Sequence, residues 1–435
     1  YGQMAKWVAQ IDRADRVPEM LSHAFHMAVS GRPGPVVLAL PEDMQTTLAP
    51  PVALKPYQRV AAHPGPSDIE RFGAMLSAAE RPFVILGGGG WSAAGCDDLR
   101  AFLSNWNLPA GCAFRAQDLL DNRDPHYVGD IAVGLNPALA ERMKKSDLIV
   151  AIGARLGEWT TANYTLFDIP RLKQKFVHVH PGAEELGRVY QADLLINAGM
   201  PEFAAAAKAM KAPSVRWNDW TTAARADYDA WQQPVQVKGD LNMSEVVKYL
   251  RESLPENAII ANGAGNFAIW VHRFYRYPGF RTQLGPTSGA MGYGAPAGIA
   301  AKLVHPDRMV LAFCGDGDFL MTGQELAPAA QYDVKVIFLV VNNGMYGTIR
   351  MHQEREYPGR VSGTQLVNPD FAALARAYGL HGEIVTKTSD FAAAFERAKA
   401  APGAALLELR VDPDVITPRT TLSGIRAEAL KTKKA

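Results

Sequence analysis

Cysteine is scarce: Cys96, Cys112 and Cys314 are the whole supply in 435 residues, and none stands at the close spacing of a metal-binding pair. That count argues against a disulfide-stapled scaffold or a thiolate metal centre, and buried thiols in a reducing compartment are the expectation. An excess of charge of either sign is lacking too. Lys and Arg number 45 against 44 Asp and Glu, and no Lys/Arg tract interleaved with aromatics occurs, so no nucleic-acid surface is expected. No apolar run is long enough for a membrane-spanning helix and no secretory signal is visible, so the expectation is no membrane and a cytoplasmic location. Apolar residues, in contrast, make up 48% of the chain, enough for two or three domains with full cores.

The order of patterns along the chain reads as α/β, with doubly wound parallel sheets in two domains. A helix over 69–79 leads to a strand over 82–86 that ends in Gly87-Gly88-Gly89-Gly90, and further strands are expected at 147–152, 175–180 and 194–197. These make a central, Rossmann-like domain over 67–210. Pro- and Ala-rich residues 49–66 read as a linker, 211–240 as a second one, and 241–412 as the last domain. The 413–435 tail, ending in Lys431-Thr432-Lys433-Lys434, reads as a frayed, solvated terminus. Before residue 49 there is one helix over 18–30, with Met20, Leu21, Phe25 and Val29 at helical spacing, and one strand over 36–40. One helix and one strand make no core.

The richest chemistry lies at Gly315-Asp316-Gly317-Asp318. An apolar run over 309–314 reads as a buried parallel strand that delivers Asp316 to its carboxyl end, and a helix is expected to begin near 321–325. A second apolar run, 335–341, delivers Asn342 and Asn343 to the same sheet edge, where open α/β sheets bind ligands. A carboxylate and an amide oxygen are hard ligands suited to Mg²⁺, which takes the rest of its octahedral shell from phosphates and water. Gly317 lets backbone approach a phosphate closely, and a helix start favours negative charge. Asp318 is expected to turn its side chain away from such an anion and to donate through its backbone N–H.

A GDG at a strand end with a paired Asn at the end of the next strand resembles the diphosphate and Mg²⁺ motif of the thiamine-diphosphate enzymes. Other segments resemble that family in chain order. Asn262-Gly263-Ala264-Gly265-Asn266-Phe267 is similar to its other diphosphate-contacting turn, with Asn266-Phe267 where members often carry Gln-His. Gly289-Ala290-Met291-Gly292-Tyr293-Gly294 resembles the segment that holds the aminopyrimidine, with Met291 as the bulky apolar prop that bends the cofactor. The resemblance implies Asp316, Asn343 and the Met345 carbonyl as metal ligands. It implies Gly265, Asn266, Gly289, Ala290, Met291, Gly315, Asp316, Gly317, Asp318, Asn343, Met345, Tyr346 and Gly347 around the cofactor.

Further consequences of the resemblance concern the whole protein. Residues 1–48 would close a pyrimidine-binding domain lying mostly upstream of Tyr1, with the cofactor-activating glutamate in that upstream part; residues 1–435 alone are then expected to be inactive. The implied activity is decarboxylation of a 2-oxo acid, carboligation, or both, in an acetolactate-synthase-like homodimer or homotetramer. Alternatives are a benzoylformate-decarboxylase-like decarboxylase or aldehyde lyase, and a catalytically silent relative. FAD stays open for the central domain: Gly153-Ala154-Arg155 matches the flavin-binding members, while His178 and His180 replace the usual acidic residues. No Trp stands at His352, unlike typical acetolactate synthases.

Several residues carry a functional and a plainer reading side by side. His178 and His180 share one strand face and could bind a metal, but with no third ligand evident, hydrogen-bonded histidines are the simpler account. The Gly87–Gly90 loop could hold a nucleotide, yet tight strand-to-helix turns use glycine without one, and no acidic residue is placed to hold a nicotinamide ribose. His352 and Gln353 could face the site or lie on a polar helix face. Glu19 and Glu42 read as surface positions.

Overall fold

The computed structural model describes residues 1–212 and 215–432. They divide into two units, one of 1–113 with 140–221 and one of 114–139 with 222–435. The strands, in chain order, are β1 (Trp7–Gln10), β2 (Val36–Ala39), β3 (Pro82–Leu86), β4 (Ala110–Ala113), β5 (Tyr127–Ile131), β6 (Leu148–Ile152), β7 (Lys175–His180), β8 (Leu194–Asn197), β9 (Ile259–Asn262), β10 (Gln283–Leu284), β11 (Val310–Gly315), β12 (Ile337–Asn342), β13 (His381–Val385) and β14 (Ala405–Arg410).

In the first unit, β1 and β2 pair in parallel with Trp7 opposite Val36. The helix Val17–Val29 joins them, and Ile11, Met20 and Met44 form a small core with Trp7 and Leu38 packed on it. That corrects the expectation of a lone helix and strand. The sequence of β1 shows no clear alternation, and only pairing with β2 makes it a strand. A parallel sheet follows in the order β4-β3-β6-β7-β8. Every residue of β3 and β6 is buried, as strands covered by helices on both faces require. No helix or strand occurs between Gln45 and Pro66, and Pro66 starts the helix Pro66–Ala78.

The second unit holds a parallel sheet in the order β10-β9-β11-β12-β14-β13. Alternate residues of one strand serve opposite faces. Leu311, Phe313, Leu339 and Val341 belong to one core cluster, and Ala312, Cys314, Phe338 and Val340 to the other. From β9 the chain goes to β10 on one side, and from β11 to β12 on the other, so the order reverses between β9 and β11. Their carboxyl ends therefore flank the crevice where such sheets take ligands.

Four details differ from expectation. The helix after β11 starts at once, as Asp316–Phe319, and Gly323–Glu325 and Leu326–Gln331 follow it. The segment expected as a second linker contains the helix Asn218–Trp231. The tail is ordered as far as it is described: a short hairpin, Val415–Thr417 with Thr420–Thr421, leads to the helix Leu422–Thr432, while residues 433–435 of the expected frayed end lie outside the described residues. Glu354 explains that helix: it lies 1% exposed on Gly347–Glu356 and takes a bidentate contact from Arg426 at 2.6 and 2.7 Å. Residues 114–139, inside the span expected for the central domain, belong to the second unit.

Candidate functional site

A cleft enclosing ≈ 760 Å³ of empty space, partly open to solvent, lies at the carboxyl ends of β9, β11 and β12. Gly315, Asp316, Gly317 and Asp318 line it from β11, and Gly265 and Asn266 from the turn after β9. Asn343, Met345, Tyr346 and Gly347 line it from β12, and Met291 from the loop before the helix Gly294–Val304. Gly289 and Ala290 are not part of the lining, and Ala290 is exposed. Close approach explains the glycines. A Cβ at Gly315 would stand 2.9 Å from the Phe267 ring, and one at Gly317 would stand 2.6 Å from the Tyr346 ring.

Asp316 is 3% exposed. Its Oδ1 accepts from Gly317 N at 3.0 Å, and its Oδ2 accepts from Gly344 N and from Asn368 Nδ2, each at 2.8 Å. Burial pushes its carboxyl above the ordinary range while these three donors pull it back down. All three donors are neutral, so the buried charge is hydrogen-bonded without being neutralised. Asn343 stands beside it, its Oδ1 accepting from Met345 N at 3.3 Å.

Two members of this arrangement escape sequence reasoning. Asn368 also donates to Asn342 Oδ1 at 2.9 Å, tying the ends of β11 and β12 together. Locally it precedes only a capped helix start, Asp370 capping Phe371–Ala377, and nothing there points to β11. Glu408, fully buried in β14, accepts from Asn342 Nδ2 at 2.9 Å, Arg410 Nε at 2.8 Å and Phe371 N at 3.2 Å. A lone carboxylate amid Ala405-Leu406-Leu407 was the signal available for it.

Asp318 lies 2% exposed, with its Oδ1 accepting from Gly292 N at 2.7 Å and Ala264 N at 3.3 Å. Asn266 exchanges two contacts with Thr348: its N donates to Oγ1 at 3.1 Å, and its Oδ1 accepts from the same hydroxyl at 3.0 Å. Phe267 is buried against Gly265 and Gly315, where it fills the floor of the turn.

Residues 263–409 match the family model described as thiamine pyrophosphate enzyme, C-terminal TPP binding domain, and residues 69–207 match that described as thiamine pyrophosphate enzyme, central domain. The chain belongs to the thiamine pyrophosphate enzyme family. Among curated relatives, it is 30% identical over 405 residues to an acetolactate synthase large subunit of Corynebacterium glutamicum, which covers 88% of this chain and 63% of that protein. It is 27% identical over 412 residues to acetolactate synthase isozyme 2 large subunit of Escherichia coli, covering 92% of this chain and 73% of that one. The chain thus spans less than two thirds of the Corynebacterium protein. Among solved structures, a thiamine diphosphate-dependent 4-hydroxybenzoylformate decarboxylase of Rhodococcus jostii RHA1 matches with TM-score 0.78 and 25% identity, over 94% of this chain and 77% of that one. Benzoylformate decarboxylase from Polynucleobacter necessarius shares the fold at TM-score 0.78 and 20% identity, over 94% of this chain and 76% of that one.

In this thiamine pyrophosphate enzyme chain the remaining candidates take their plainer roles. His352 and Gln353 are absent from the cleft lining; His352 Nδ1 lies 3.4 Å from Arg355 Nη1, and Gln353 Nε2 donates to Ser362 O at 2.6 Å. His178 is buried with Nε2 3.0 Å from Ala154 O, and His180 Nδ1 accepts from Gly182 N at 3.0 Å. Burial pushes His178 down to about 4, so its ring is neutral. Gly88 (φ +71) faces Gly153 O, 2.1 Å from where a Cβ would stand, so packing alone demands glycine there. His178 also lines a separate cavity of ≈ 600 Å³ in the first unit with Arg155 and Arg188. Glu185 lines it as well and pairs with Arg188 at 3.2 Å, so the lining does not single out a flavin.

Proposed function

We propose that the chain holds Mg²⁺ and the diphosphate of thiamine diphosphate in the cleft beneath Asp316, and serves decarboxylation of a 2-oxo acid followed by carboligation, as in acetolactate formation. The observation that carries this reading is the buried Asp316 carboxylate whose partners are all neutral. A divalent cation supplies the compensating charge that such a group needs.

In this reading Asp316, Asn343 and the Met345 carbonyl hold Mg²⁺. Gly265, Asn266, Gly315, Gly317, Asp318, Tyr346 and Gly347 border the diphosphate. The helices Phe267–Phe274 and Gly347–Glu356 both begin at the cleft, where helix starts favour negative charge. Gly289 and Ala290 belong to the loop that presents Met291, the apolar prop for the cofactor's bent shape. Phe267, Trp270, Val341 and Ile416 line the cleft with apolar surface, which keeps water away and strengthens the charge interactions inside. Thiamine diphosphate bound there supplies the electron sink that lets the carboxyl carbon of a 2-oxo acid depart as carbon dioxide.

A second reading, a benzoylformate-decarboxylase-like enzyme or aldehyde lyase, draws on the two decarboxylase folds above. A third, a silent cofactor-binding relative, draws on the cleft itself: no glutamate lines it among the described residues, so none of this chain's glutamates is assigned the activating role. Domain limits at 1–48, 67–210 and 241–412, a homodimeric or homotetrameric assembly and a cytoplasmic location belong to the same proposal. Calorimetric titration of thiamine diphosphate with Mg²⁺ into the protein, followed by assays for carbon dioxide and for acetolactate-type products, tests it. Asp316→Ala should abolish Mg²⁺-dependent binding and keep the fold; unchanged affinity would sink the reading.

A further inference from the structure

Asp316 and Asp318 begin the same helical turn and do different work. Two residues apart on an α-helix, their side chains diverge by roughly 200° about the axis, at 3.6 residues per turn. Asp316 accordingly reaches Gly344 and Asn368 after β12, and Asp318 reaches Ala264 after β9 and Gly292 in the Met291 loop.

The peptide groups of Gly292 are held from both sides. Its N–H donates to Asp318 Oδ1 at 2.7 Å, and its carbonyl accepts from Thr322 Oγ1 at 3.0 Å. Gly292 has φ +83, and a Cβ there would lie 3.1 Å from Thr322 Cγ2 and 3.2 Å from Met321 Cβ. The turn after β9 is fitted to the same carboxylate, for a Cβ at Gly263 would stand 2.0 Å from Asp318 Oδ2. That second oxygen is buried as well, and the Cys314 thiol also contacts the carboxylate. A buried carboxylate is a costly way to join two loops if packing were the only demand. What the carboxylate adds is a strong, fixed acceptor one residue from Met291.

We propose that Asp318, assisted by Thr322, is a positioning residue that fixes how far Met291 stands into the cleft, acting on the cofactor through Met291. The inference rests on the thiamine diphosphate reading of the cleft. Its chemistry is that of a backbone clip: one carboxylate oxygen shared by two N–H groups from two loops, with a hydroxyl closing the other side of the same glycine. Moving the clip moves Met291, and a misplacement of about 1 Å at a reacting centre can change a rate by roughly 10²-fold.

The test uses the full-length protein with ¹³C-methyl-labelled methionine. Without cofactor, Met291 in the wild type should give one sharp methyl resonance, identified by its loss in Met291→Ala. In Asp318→Ala it should shift or split, and in Asp318→Asn, which keeps the acceptor oxygen, it should return near its original position. With thiamine diphosphate and Mg²⁺ at saturation, Asp318→Ala should lose C2 proton exchange by roughly 10²-fold. Added to Met291→Ala it should cause little further loss, because the two act as one unit. Should Asp318→Ala fail to fold, Thr322→Val removes the other half of the clip and should shift the Met291 resonance in the same sense. An unmoved Met291 resonance, or Asp318→Asn as impaired as Asp318→Ala, overturns the inference. Wild-type protein that fails to bind thiamine diphosphate overturns the functional reading instead.

Discussion

The side-chain amide of Asn368 donates to Asp316 Oδ2 at 2.8 Å and to Asn342 Oδ1 at 2.9 Å, so one group orients the acidic residue after β11 and the last residue of β12. An outer group that orients a metal ligand typically contributes 10–100-fold to metal affinity. Asn368→Ala should therefore weaken Mg²⁺-supported thiamine diphosphate binding by about tenfold or more while the circular dichroism of the fold is retained. Isothermal titration at fixed Mg²⁺ measures it, and equal affinities would remove Asn368 from the site.

Glu354 accepts from Arg350, Arg426 and the N–H of Gly359 and is almost wholly buried. The Arg426 contact, reinforced by Gly359 and Arg350, holds its carboxyl down from 4.5 to about 2. A carboxyl whose folded value is depressed contributes stability above its unfolded value and loses it as pH falls from there toward the folded value. Glu354→Gln should thus cost about 2 kcal/mol at pH 7, by stranding two partly buried guanidiniums. The gap to wild type should narrow between pH 4.5 and pH 2. Denaturant unfolding at neutral and acid pH reads this out, and a gap that widens toward acid contradicts it.

Gly317 and Tyr346 are fitted to each other, since a Cβ at Gly317 would lie 2.6 Å from the Tyr346 ring. Gly317→Ala should destabilise the protein by roughly 1–3 kcal/mol through overpacking. Combining it with Tyr346→Ala should recover part of that loss, a coupling that thermal unfolding of the four variants measures.

His178, buried in β7 and pushed down to about 4, should stay neutral between pH 5 and 8. A base whose folded value is lowered disfavours the folded state as it gains its proton, so its influence is absent above the ordinary 6.5 and destabilising as pH falls from 6.5 toward 4. An imidazole NMR titration assigned to His178 checks this, and a midpoint near 6.5 would contradict its burial.

Legibility followed how local the physics was. The strands at 82–86, 175–180 and 194–197 were readable with their ends, because buried parallel strands are short apolar runs bounded by breakers. β1 and the ordered tail were not. Trp7-Val8-Ala9-Gln10 has no strand pattern of its own and exists through pairing with β2, and the Leu422–Thr432 helix rests on Arg426 meeting Glu354 from far along the chain. At the cleft, the chemistry-bearing residues were visible as types, but their partners were not.

The sequence by itself determined which side chains could do chemistry and that two apolar runs would carry Asp316 and Asn343 to strand ends, because strand formation and residue type are local properties. Only the tertiary structure decided that β9, rather than another strand, lies beside β11, that Asn368 and Glu408 brace the two strand ends, and that Asp318 grips Gly292 instead of standing free. Those contacts join residues far apart in the chain, and their partners are chosen by strand order and close packing, which no local window of sequence contains.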